Sequence, residues 1–147
     1  MWVLDDIMLH VQQILNKKGN NKETGSLGEK IAGKYLKNKG FEVIEYNYLK
    51  KWGEIDIVAC RTDKVYFVEV KTVSYETIKD LNEAVTRRTW RPEENVHARK
   101  IKKLSRAIES WLIENNCNDE WQIDVVAVRI VPREKYASIK YLPNIIL

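Results

Sequence analysis

A chain of 147 residues, 44% hydrophobic and 31% charged, has the size and balance of a single folded domain. At that length about 68–70% of the unfolded surface can be buried without help from a disulfide or structural metal. The two cysteines, Cys60 and Cys117, exclude a disulfide framework and a zinc knuckle and point to a reducing, cytoplasmic setting. No apolar run reaches the roughly 18–20 residues of a membrane span, and Asp5 and Asp6 stand where a secretory leader carries basic residues. Neither secretion nor a membrane partner is therefore expected.

Val3, Leu4, Ile7, Met8, Val11, Ile14 and Leu15 recur at helical spacing and predict an amphipathic helix whose apolar stripe needs a cover. The polar residues 17–22 interrupt that pattern, so residues 1–20 are expected to be an appendage to a domain spanning residues 21–147. A second helix is predicted over residues 26–39, with Ile31, Ala32, Tyr35 and Leu36 inward and Gly40 as its stop. Ser26 and Glu29 have the spacing of a capping box, in which the glutamate returns to the N-cap amide.

Three strands follow, over residues 41–48, 54–60 and 65–72, and the last two face each other across Arg61-Thr62-Asp63-Lys64 as a hairpin. Residues 73–95 are mostly polar, though Ile78, Leu81, Ala84 and Val85 allow a short helix within this long excursion. A strong helical pattern returns at Val96, Ile101, Leu104, Ile108, Trp111 and Leu112, before late strands over residues 121–131 and 136–142.

The formal charge of +4 is unevenly distributed, because residues 86–106 carry a net +6 and the remainder −2. Arg87, Arg88, Arg91, Arg99, Lys100 and Lys103 accompany Trp90 there, a combination suited to phosphate contact and base stacking. The ordinary alternative is a solvated helix face. His97 is expected to be a surface residue and Asp124 a structural one.

The sharper signal lies in the hairpin. Alternation puts Ile55, Ile57 and Ala59 on one face of the second strand and Glu54, Asp56 and Val58 on the other. On the third strand Tyr66, Val68 and Val70 oppose Phe67, Glu69 and Lys71. Setting Cys60 against Val65 matches the apolar faces and pairs Ile57 with Val68, Ile55 with Val70, Asp56 with Glu69 and Glu54 with Lys71. Directly opposed carboxylates cost up to about 1 kcal/mol, and more among apolar neighbours. A hard divalent cation would remove that cost, and Lys71 could orient or deprotonate a water or stabilise charge on a phosphate. Such a set suits metal-assisted phosphodiester hydrolysis. The competing reading makes Glu54–Lys71 a plain cross-strand salt bridge on a solvated face.

Gly25-Ser26-Leu27-Gly28-Glu29-Lys30-Ile31-Ala32, Gly53-Glu54-Ile55-Asp56-Ile57-Val58-Ala59 and Phe67-Val68-Glu69-Val70-Lys71 together resemble the YraN-like family of small bacterial proteins. That family lies within the PD-(D/E)xK, or restriction-endonuclease-like, superfamily and is similar to archaeal Holliday junction resolvases. The resemblance covers roughly residues 24–131. It implies an α/β fold with a restriction-endonuclease-like αβββαβ core, a mixed sheet flanked by helices, to which the first helix is an addition.

The resemblance also implies that Asp56 and Glu69, with Glu29, hold Mg²⁺ or Mn²⁺ and that Lys71 is the catalytic lysine. DNA, more than RNA, is the implied substrate, in branched or otherwise structured form. Ile55 stands in the place of the proline of the motif name, and residues 73–91 look like an insertion. Glu29 in this role competes with its role in the capping box. The alternative reading of the whole chain is a catalytically silent nucleic-acid-binding or protein-interaction module. A homodimer built on the first helix and the apolar tail 143–147 would suit a branched substrate.

Overall fold

The computed structural model describes residues 21–87 and 98–145. The predicted first helix lies outside the described residues, as do Arg88, Trp90, Arg91 and His97, the side chain of Arg99, and the last two residues of the apolar tail.

Helix α1 runs Asn21–Asn38, beginning five residues before the predicted start. Ser26 therefore sits inside the helix and the capping box is not formed there. A single glycine such as Gly25 costs a helix only about 1 kcal/mol and does not stop one held by packing. The far end is as predicted: Gly40 has φ 92°, its N–H donates to Lys37 O at 3.1 Å, and Phe41 N–H donates to Leu36 O at 3.0 Å. This is a Schellman motif, whose left-handed residue glycine alone adopts without strain.

Strands β1 (Glu42–Lys50), β2 (Gly53–Arg61) and β3 (Lys64–Ser74) form an antiparallel meander. Cys60 pairs with Val65 and Ile57 with Val68, the predicted register. Arg61 also pairs with Lys64, leaving a two-residue turn in which Thr62 and Asp63 have φ of 50° and 59°, as the right-handed strand twist favours. Helix α2 (Ile78–Thr86) is the short helix allowed by the sequence, started by Thr77, whose hydroxyl accepts the Asp80 N–H at 3.0 Å. Helix α3 (Ala98–Glu114) leads into β4 (Glu120–Val131), and a 3₁₀ turn at Pro132–Glu134 leads into β5 (Tyr136–Leu142).

The sheet has the order β1-β2-β3-β4-β5, parallel only between β3 and β4. This is the expected mixed α/β sheet. Helix α1 covers one face, burying Leu27, Ile31 and Leu36 against Ile57, Val68 and Val126. Helix α3 covers the other, where Leu104, Ile108 and Trp111 meet Ile55, Val58 and Phe67, with the Trp111 ring edge-on to Phe67 at 5.5 Å. Asp124 is fully buried but satisfied, accepting from Gln122 Nε2 at 2.7 Å, Asn144 N–H at 2.8 Å and the Tyr141 hydroxyl. Its structural role is as expected. Among the described residues, no helix is long and apolar enough to cross a membrane.

One expectation about β2 fails. Ile57 packs on the α1 side, whereas Ile55 packs with Val58 on the α3 side, so the assumed alternation inverts between them. Gly53 follows Ile55, since a methyl group there would sit 2.0 Å from Lys103 O on α3. The neighbouring strand changes face at the same level, with Tyr46 beside Gly33 of α1 and Tyr48 in the α3-side core. Asn47 of β1 has φ 54°, and the recorded pairs step from Tyr46↔Ile57 to Tyr48↔Ile55 across it. A left-handed residue kinks an extended strand, and Asp56 lies opposite that kink.

Candidate metal centre

Inverting β2 turns Glu54 away from its predicted partner Lys71. Glu54 instead joins Glu29 of α1 and Asp56, each offering a carboxylate oxygen within 4.8 Å of the others. The position of Glu29 depends on how closely α1 lies on β3. A Cβ on Gly28 would stand 1.7 Å from Thr72 Oγ1, so only glycine permits this approach.

The β2–β3 ladder ends at Ile57↔Val68. Beyond it the Asp56 carboxylate, and not a strand carbonyl, accepts the Val70 N–H at 2.8 Å. The expected backbone pairings of Asp56 with Glu69, Ile55 with Val70 and Glu54 with Lys71 are thus not made. An acidic side chain that takes a backbone donor must lie in the plane of the sheet and holds the two strands apart. Asp56 and Glu69 still share a cavity of about 470 Å³, with Glu29, Lys71, Thr72 and Lys100 also in its wall. They are 9% and 7% exposed.

Lys71 Nζ lies 3.3 Å from Glu69 Oε1, and Lys100 Nζ, reaching across from α3, contacts the same oxygen. Lys100, a nucleic-acid candidate by sequence, lines the acidic cavity. Of the other basic candidates, Arg87 caps α2 through its backbone, and Lys103 is exposed on α3 and does not line the cavity.

The electrostatics follow from burial. The Asp56 carboxyl is pushed up to about 8 by loss of solvent and then by the Glu69 charge, against the lowering effect of the Val70 hydrogen bond. Burial also raises Glu29, with Glu54 and Glu69 adding to it and a hydrogen bond to Asn47 opposing. Lys71 is lowered, chiefly by burial and then by its contact with Lys100. For Lys100 burial works downward but loses to the contacts with Glu69 and Lys71, and the net shift is upward. A cluster of oxygen donors in which a carboxyl resists ionisation is chemically matched to a hard divalent cation.

A family model for "Uncharacterised protein family UPF0102" matches residues 28–128, the segment from the glycine at α1 to the middle of β4. The chain belongs to UPF0102. This is the YraN-like family whose motifs the sequence carries, with its PD-(D/E)xK nuclease-like character. Curated UPF0102 proteins are similar over most of their length. The one from Alkaliphilus oremlandii is 35% identical over 84% of this chain and 97% of its own. That from Clostridioides difficile is 39% identical over 78% and 91%, and that from Campylobacter fetus 33% identical over 82% and 91%.

Of the four site residues the sequence singles out, Glu29, Asp56, Glu69 and Lys71, all line one cavity in this UPF0102 chain. Two contributors escape sequence reasoning. Glu54 is misplaced by the assumed alternation, for which the only signal was an asparagine, a residue tolerant of left-handed φ, in the middle of β1. Lys100, read from the sequence as a nucleic-acid contact, is not read there as a cavity residue, because the direction of a lysine on α3 depends on how that helix crosses the sheet.

Proposed function

We propose that this protein is a divalent-metal-dependent nuclease that hydrolyses DNA phosphodiester bonds, in branched or otherwise structured DNA. The observation that carries the reading is the convergence of Glu29, Asp56 and Glu69 with Lys71 in one cavity, in a strand pair opened by Asp56. The oxygen donors suit Mg²⁺ or Mn²⁺: Glu29, Glu54 and Asp56 offer oxygens within 4.8 Å of one another, and Glu69, in the same cavity wall as Glu29 and Asp56, would complete the set. Such an ion, when bound, supplies Lewis-acid polarisation of a phosphate and acidifies a water.

The remaining chemistry belongs to the chain. Lys71, held beside Glu69 and lowered by burial, gives up its proton more readily than a free lysine. It is suited to take the proton of a water attacking phosphorus as the bond to the leaving sugar oxygen breaks. The cavity wall at Thr72 and Lys100 supplies donors for the non-bridging oxygens.

The test offers duplex, single-stranded, flap and four-way-junction DNA, and RNA, to the purified protein with Mg²⁺ or Mn²⁺. Cleavage of DNA is expected, with Lys71→Ala lowering the rate about 10²–10⁴-fold while cation binding persists. Cleavage that survives both Asp56→Ala and Lys71→Ala would sink the assignment. Salt-sensitive DNA binding with no cation binding at millimolar concentration would favour a non-catalytic binding module.

A further inference from the structure

We propose that Lys100 is a resident counter-ion that exchanges Glu69 for a DNA phosphate when a divalent cation enters the cavity, so that cation and DNA each strengthen binding of the other. The proposal rests on the metal-dependent reading above and concerns how that site is regulated.

Lys71 and Lys100 both contact Oε1 of Glu69. Two ammonium groups on a single oxygen repel each other, and together they occupy one of the two oxygens through which Glu69 could hold a cation. A cation that takes that oxygen displaces one of them. They are not equally free to leave. Lys71 stands on β3, two residues from Glu69, and its side chain is only 19% exposed. Lys100 reaches in from the third residue of α3 on a long stem, and its side chain is 43% exposed. Swinging outward returns the Lys100 ammonium to water, at the loss of its contacts with Glu69 and Lys71.

Charge balance favours the exchange. In the cavity Lys100 offsets part of the charge of Glu69 and Glu29, and a divalent cation replaces what it supplies. Once released, its ammonium lies at the cavity rim, on the same helix as the exposed Lys102 and Lys103. A polyanionic backbone crossing the cavity mouth would meet all three. If the cation frees a phosphate ligand, linkage requires that DNA in turn raise cation affinity by the same factor.

The experiment measures Mn²⁺ affinity of the full chain by calorimetry, and DNA affinity by fluorescence anisotropy with and without Ca²⁺. Wild-type protein is expected to bind DNA about tenfold more tightly when Ca²⁺ is present. Lys100→Gln removes the competing charge, so Mn²⁺ should bind on the order of tenfold more tightly, and the effect of Ca²⁺ on DNA binding should shrink to what direct contact between cation and phosphate supplies. Lys100→Arg, which keeps the charge, should keep weak cation binding. A general loss of structure would weaken cation binding, so tightening separates this role from a merely structural one. The proposal is overturned if folded Lys100→Gln binds Mn²⁺ no more tightly than wild type, or if its DNA binding responds to Ca²⁺ as strongly as that of wild type. Wild-type protein that binds no cation would remove the metal-dependent reading itself. Normal cation binding that Lys100→Gln leaves unchanged would remove only this one.

Discussion

Asp56 is the residue on which the site turns, and its cost to the fold is measurable. A carboxyl that keeps its proton up to about 8 in the folded chain, against an ordinary value of 3.8, binds one more proton folded than unfolded between those values. Stability of the cation-free protein must therefore fall as pH rises from about 4 to about 8. Asp56→Asn should flatten that slope and stabilise the cation-free protein by about 1–3 kcal/mol at the alkaline end, while abolishing cation binding. Thermal melts across that pH range with and without Mn²⁺ check both parts, because a bound cation should also remove the slope and release a proton as it binds. The importance of Asp56 was legible in the sequence, since matching Ile57 with Val68 sets it across from a second carboxylate. Its hydrogen bond to Val70 was not. Period-two reasoning assumes an unbroken ladder, and a side chain that replaces a ladder carbonyl leaves no trace in the pattern.

Among the elements, α1 is the one whose placement is most exacting. A methyl group at Gly28 would overlap Thr72 Oγ1 and Cβ, at 1.7 and 2.8 Å, and neither strand nor helix can yield locally. Gly28→Ala is expected to cost about 1–3 kcal/mol and to weaken cation binding by moving Glu29 off β3. Adding Thr72→Gly should recover much of both, measured by denaturant melts and calorimetry. Gly40→Ala, at φ 92° with open space around it, should cost about 1 kcal/mol and leave the cation site unaltered. The stop at Gly40 was legible because glycine at that position has one physical reason. The start was not, because Ser26 and Glu29 imitate a cap although the helix already has a full turn behind them. Lys100 shows the same limit from another side. Its charge can be read from the sequence, but its direction depends on where α3 crosses the sheet.

At the scale of the whole molecule, the modest net charge of +4 conceals an arrangement by sign. Acidic side chains converge on the opened seam between β2 and β3, and basic ones mark α3 and the segment before it. If the exposed lysines of α3 track a DNA backbone, each neutralised phosphate should steepen the fall of log affinity with log salt by about 0.9. Lys103→Ala should then weaken binding to every DNA alike and reduce that slope by about 1, as read from anisotropy titrations at several salt concentrations. As far as it is described, the apolar tail docks on its own chain. Ile145 donates its N–H to Ile123 O at 2.7 Å and packs against the α3-side core of its own chain.

The kink at Asn47 has a second consequence. Strand β1 ends the sheet and carries exposed Ile44, Tyr46 and Leu49, the profile of an edge open to strand addition by another chain. A left-handed residue in its middle bends the row of unpaired amides and carbonyls out of line, so no straight strand can pair along its whole length. Among the described residues, the place where Glu54 turns toward Glu29 is thus also the place where the outer edge of the sheet departs from a straight strand.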